Sequence, residues 1–205
     1  MLKLWGRRNS INVQKVLWVL AELGLEHERV DAGMEFGVTD TPEFLAKNPN
    51  GLVPTLEDGD VVLWESNSIV RYLAARYGKG GLWPEDPGAR ARSDRWMDWM
   101  LTRLLPALTP PFWNLIRTPP ERRNQADIDA GLRKLEQLWP MVEAALSEPY
   151  IAGKDLTIGD IPLGVCVYRW RGLPIERPSL PRLEAYFARL SERPAYRSEV
   201  MQPLT

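Results

Sequence analysis

Two short pieces of the chain combine residue types able to hold an ionic ligand. Glu65-Ser66 precedes an apolar pattern in which Ile69, Leu73 and Tyr77 share one helical face. Unpaired N–H groups at a helix start favour an anion, and a carboxylate beside them favours an ammonium group. One helix end could therefore take both charges of an amino acid. Ser66 is equally a preferred N-cap residue, and from the dipeptide alone capping is the simpler role. Just upstream, Pro54 precedes the strand-like Thr55-Leu56, where its missing N–H leaves no ladder bond unmade. Val53 would then present a free N–H and C=O to an extended ligand, although on spacing alone an ordinary turn accounts for the pair.

The elements that must position these residues follow from periodicity. Residues 2–5 read as a short strand, and residues 12–23 as a helix with Val13, Val16, Leu17, Leu20 and Leu23 on one stripe, closed by Gly24. Residues 28–30 continue as a strand, with His27 at the surface of the preceding turn, and residues 33–41 as an irregular loop. Asp58-Gly59 is the strongest hairpin signal, so the order is βαβ followed by ββα. The Gly- and Pro-rich residues 78–84 break the periodicity, which predicts one domain over residues 1–78 and an all-helical one over residues 86–205. Within the latter, Ile128, Leu132, Leu135, Trp139, Val142 and Leu146 form one stripe, interrupted by a Pro140 expected to bend it. Thr157 and Asp160 resemble a capping box, with Asp replacing the usual Glu or Gln.

Composition excludes several function classes. The 26 Lys and Arg nearly cancel the 27 Asp and Glu without long runs of one sign, which predicts neither nucleic-acid nor membrane-surface binding. No apolar run approaches a bilayer span and no secretory segment opens the chain, so a cytoplasmic protein acting on small molecules is expected. The single Cys166 and single His27 offer neither an internal disulfide nor a zinc site. Cys166 lies in the apolar residues 161–167 and reads as a small core side chain.

Residues 48–73, reading Asn-Pro-Asn-Gly-Leu-Val-Pro-Thr through Glu-Ser-Asn-Ser-Ile-Val-Arg-Tyr-Leu, resemble the glutathione-binding half of the cytosolic glutathione S-transferases. The resemblance covers nearly the whole chain and is nearest to the bacterial nu-type or theta-like branch. It implies a thioredoxin-like α/β N-terminal domain followed by an all-α helical bundle. It implies a glutathione site formed by Leu52, Val53, Pro54, Glu65 and Ser66, with the cysteinyl backbone on Val53 and the γ-glutamyl group on Glu65-Ser66. Ser10 and Asn12 would face the thiol as catalytic residues, no tyrosine lying near. Each also suits a plain N-cap role. Trp5, Phe36, Trp113 and Tyr168 are the candidates for an electrophile pocket. The implied reaction joins the glutathione thiolate, as co-substrate and without a metal, to an electrophilic small molecule. Reduction of a disulfide or peroxidic substrate, and non-catalytic ligand binding, are the alternatives. A homodimer is implied, with residues 66–77 and 94–103, including Trp96, Trp99 and Arg103, as contributors.

Overall fold

Alternating burial along strand β1 (Leu2–Trp5) sets the centre of a sheet: Leu2 and Leu4 face a core, and Lys3 and Trp5 the opposite side. This is a computed structural model describing residues 1–205. Strand β2 (His27–Val30) runs parallel to β1, whereas β3 (Thr55–Asp58) and β4 (Val61–Trp64) run antiparallel, in the order β2-β1-β3-β4. The β3–β4 hairpin turns at Gly59, whose φ of 63° lies in the left-handed region that glycine tolerates. Helices α1 (Ile11–Glu22) and α3 (Ser66–Tyr77) pack together on the Leu4 side, joining Val16, Leu20, Ile69 and Leu73 to one core. On the other side, α2 (Pro42–Leu45) sets Phe44 edge-on to Trp5, with ring centroids 6.0 Å apart.

The second half is helical: α4 (Pro87–Trp99), α5 (Leu105–Phe112), α6 (Gln125–Ala145), α7 (Asp160–Arg171), α8 (Pro181–Glu192) and α9 (Pro194–Glu199). Wider π-helical turns, Met100–Leu104 and Trp113–Arg117, flank the proline-rich α5. Prolines withhold backbone donors from the preceding turn, and π turns are a common local adjustment near functional sites. The two halves meet at Trp18 of α1, which is fully buried against Gly164 of α7 and stacks edge-on to Tyr196 of α9 at 4.8 Å. A Cβ at Gly164 would lie 2.8 Å from the Trp18 ring, so only glycine admits this contact. It brings the start of α1 alongside α5 and α7, which line the same cleft.

Several sequence expectations need correction. His27 belongs to β2, paired with Leu2 and half-buried. Trp96 is core rather than surface, packed at 5.2 Å against Trp99, and is not available to a partner subunit. The capping box is only half formed. The Asp160 carboxylate accepts the Thr157 N–H as expected, but the Thr157 hydroxyl bonds Asp160 and Ser93 rather than a helix N–H.

Asp160 is fully buried and also accepts from the Ile151 N–H and the Tyr186 hydroxyl. Burial outweighs these donors and pushes its carboxyl up to about 6. A carboxyl raised in the folded state contributes stability at low pH that is lost as pH rises through that value. Urea unfolding should show the wild type losing part of its stability between about pH 4 and 6. Asp160→Ala should lack this step and be less stable throughout by at least about 2 kcal/mol, because two buried N–H groups lose their acceptor.

Candidate active site

The turn from β1 into α1 is held by backbone bonds from Gly6 N–H to Val30, Arg7 N–H to Ala32 and Ser10 N–H to Arg7. A Cβ at Gly6 (φ 154°) would fall 2.4 Å from a Val13 methyl and 3.3 Å from Val53. Glycine therefore permits this turn to lie against the Val53 loop. Ser10 occupies the N-cap position of α1 in extended geometry, yet its hydroxyl bonds no helix N–H. Buried on most sides, it is left free to donate elsewhere. Asn12 follows in the first turn and lines two adjoining clefts.

Beneath the first cleft lies a buried cation that sequence reasoning missed. Lys15 is 0% exposed, and its Nζ donates to Ser66 Oγ at 3.2 Å and to Asn67 Oδ1 at 3.3 Å. Ser66 Oγ in turn donates to Asn12 Oδ1 at 3.4 Å, which leaves the Asn12 amide N–H groups without a partner in the chain. Burial lowers the Lys15 ammonium to about 8, and the charge of Glu65 opposes that shift. No pattern announced it: Lys15 lies off the stripe of Val13, Val16, Leu17 and Leu20, on a face where a lysine ordinarily reaches solvent.

The first cleft is lined by Asn12, Leu52, Val53, Pro54, Glu65 and Ser66, so all five residues expected to bind glutathione come together, with Asn12 at one end. The Val53-Pro54 bond is cis, and neither the N–H nor the C=O of Val53 has a hydrogen-bond partner within the chain. Buried Asn48 fixes this loop by donating to Leu52 O at 2.7 Å and Thr55 Oγ1 at 3.1 Å. The N-cap of α3 is Glu65, not Ser66. Glu65 sits at φ 71°, a conformation costing about 1–3 kcal/mol for a residue with a side chain. Its carboxylate is exposed and forms no ion pair, while Ser66 turns inward to Lys15.

The second cleft, about 210 Å³, opens beside Ser10 and Asn12 and is walled by Leu105, Leu108, Phe112 and Trp113. Of the expected electrophile residues, only Trp113 lines it. Trp5 lies on the far side of the sheet, its Nε1 donating to Glu57 at 2.5 Å. Tyr168 donates its hydroxyl to Gln202 O at 2.7 Å, and Phe36 is exposed at the end of a short 3-10 turn, Met34–Phe36. Three residues not anticipated, Arg7, Arg117 and Arg169, also line it. No pattern announced them, because they converge from one loop, a π turn and α7. Cys166 is fully buried, with burial pushing its thiol up to about 11, and lines neither cleft.

Residues 1–75 match the glutathione S-transferase N-terminal domain, and residues 97–194 the C-terminal domain. The whole chain is 44% identical to Escherichia coli glutathione S-transferase GstB over that protein's full length. The chain belongs to the glutathione S-transferase family. It superposes with TM-score 0.96 and 49% identity on the glutathione-bound crystal structure of the theta class glutathione S-transferase from Xanthomonas axonopodis pv. citri, covering 100% of this chain and 99% of that one. Against the apo form of that enzyme the TM-score is 0.87, over 100% and 98% of the two chains. A glutathione S-transferase-I bound with the ligand lactoylglutathione is 27% identical, with TM-score 0.89 over 98% of both chains. No helix of this transferase is long and apolar enough to cross a membrane.

A base whose value is lowered on folding withholds stability until pH rises from its folded toward its unfolded value. Wild-type stability should therefore gain a contribution between about pH 8 and 10.5 that Lys15→Met lacks, measured by urea midpoints. The same variant should bind glutathione about three- to tenfold more weakly, read by calorimetry, because losing one hydrogen bond that orients Ser66 and Asn12 costs roughly 0.5–1.5 kcal/mol.

Proposed function

We propose that this transferase joins the thiolate of glutathione to an electrophilic small molecule, with Ser10 and Asn12 holding the sulfur. The observation that carries this reading is the free Ser10 hydroxyl at the start of α1, beside an Asn12 amide whose oxygen is already engaged by Ser66. Glutathione suits the first cleft by its chemistry. The unpartnered N–H and C=O of Val53 complement a cysteinyl backbone, and the start of α3 with the Glu65 carboxylate complements the γ-glutamyl carboxylate and ammonium. The likeness to a glutathione-bound relative supports the same assignment.

The energetics are within reach of these groups. Lowering a thiol from about 8.5 by two units needs about 2.7 kcal/mol of differential stabilisation. A charge-assisted hydrogen bond supplies roughly 1.5–3 kcal/mol and a helix N-terminus about 0.3–1 more. Ser10 and Asn12 donate to the sulfur, the thiol proton passes to solvent, and the neighbouring cleft aligns the electrophilic atom. The sulfur then forms its new bond as the leaving group departs with its electron pair. No general base is required. A cytoplasmic homodimer is part of this reading. The exposed Leu101 and Arg103, following α4, remain available to such a contact where Trp96 is not.

Conjugation of a chlorinated nitroarene, followed by absorbance, tests the activity. Absence of turnover with every electrophile despite tight glutathione binding would reduce the protein to a ligand binder. Glu65→Ala should weaken glutathione binding five- to more than a hundredfold in calorimetry, since leaving the ligand's buried ammonium without its partner costs about 1–3 kcal/mol. Unchanged affinity in both Glu65→Ala and Ser66→Ala would remove the site assignment.

A further inference from the structure

Three arginines line the cleft beside Ser10, and none meets a side-chain carboxylate at ion-pair distance. Arg7 is 8% exposed, its guanidinium forms no hydrogen bond in the chain, and its buried Nε has no partner. Arg169 is 5% exposed and donates from Nη2 to Asn9 O at 2.7 Å and Gln14 Oε1 at 3.4 Å, its Nε also unpartnered. Arg117 donates from Nε to Thr205 O at 2.8 Å and from Nη2 to Asn9 O at 3.4 Å. Aromatic faces take part of their charge: Arg169 lies 4.4 Å from the Phe112 centroid, and Arg117 4.6 Å from that of Trp113. Stacking leaves the guanidinium edges, where the N–H donors lie, without an acid. Glu35 is the one carboxylate whose charge acts on Arg7 and Arg117, and it stands on an exposed turn.

Burying guanidinium groups without an anion is costly, and each of the three raises that cost for its neighbours. Burial together with the charges of Arg117 and Arg7 lowers Arg169 to about 9. Elsewhere in the fold a partly buried arginine meets an acid, as Arg193 does Glu22 at 2.6 Å. The geometry points to a second substrate that is itself an anion: a small electrophile carrying a carboxylate or sulfonate, its charge on Arg7, Arg117 and Arg169 and its reactive carbon toward Ser10. This rests on the transferase reading above and adds the substrate class. The 210 Å³ cleft limits the body to about one substituted ring or a short chain, packed against Phe112 and Leu108.

A matched pair of probes tests it: a chlorodinitrobenzoate with its carboxylate para to the chlorine, and the methyl ester of the same compound. With either, the glutathione sulfur bonds the chlorine-bearing carbon, chloride leaves with the bonding pair, and the thiol proton passes to solvent. The readout is the ratio of kcat/KM for acid over ester within each protein, corrected for the two compounds' uncatalysed rates, so a general loss of activity cancels. The wild-type ratio is expected to be about tenfold or more at low ionic strength and to shrink with added salt. Arg117→Gln and Arg7→Gln should each lower it at least about threefold, and Arg117→Lys should restore part of it. Affinities for the two pre-formed conjugates give the same ratio by calorimetry if turnover is slow. A wild-type ratio near one, or ratios unmoved by the substitutions, overturns the inference while ester turnover leaves the transferase reading intact. Substitutions that raise KM for glutathione equally with both probes would place the arginines on the glycyl carboxylate of glutathione and equally overturn it. Failure to bind glutathione at all would instead remove the underlying reading.

Discussion

The buried ammonium of Lys15 is the constraint on which the site depends. A cation with no exposure must find acceptors, and this one finds Ser66 Oγ and Asn67 Oδ1 at the first turn of α3. The bond from Ser66 to Asn12 then ties α3 back to the start of α1. Asn67 continues the network by donating to Met97 O in α4 at 3.0 Å. One lysine thereby registers three helices against each other, and the two helix starts that face ligand are among them. The cost of burying the charge is the lowered Lys15 value, and the return is a fixed distance between the amino-acid end of the site and the thiol end.

The division of labour between the halves follows from the same packing. The sheet domain supplies every group suited to glutathione, from Val53 to Glu65 and Ser66. The helical half supplies the wall opposite Ser10, through α5, the π turn at Trp113 and Arg169 of α7. Trp18 against Gly164 fixes the two halves together close to this junction, so Asn12 lines both clefts at once. A reaction between two bound molecules needs such a shared border, because positioning the partners is a large share of what an enzyme can contribute.

Local rules made much of this legible in the chain itself. The hairpin around Gly59 and the helix over residues 66–77 emerged where turn chemistry and apolar period agreed. The five residues expected to bind glutathione line one cleft because they fall within one short segment. Side-chain direction was not legible. Ser66 looked like an N-cap and instead points inward, since Lys15 presents a donor that a helix-terminus rule does not see. Trp5 was among the candidates for the electrophile pocket, but strand alternation puts it on the opposite sheet face. The arginines of the second cleft come from positions far apart in the chain, so only tertiary packing could unite them.

The central claim is that Ser10 and Asn12 stabilise a thiolate on bound glutathione, and ultraviolet titration of the thiol in the complex measures this directly. The account predicts a bound thiol at least about one unit below its solution value near 8.5, rising toward that value in Ser10→Ala and in Asn12→Ala. A bound thiol that titrates at its solution value, or a lowered one that neither substitution moves, would contradict it.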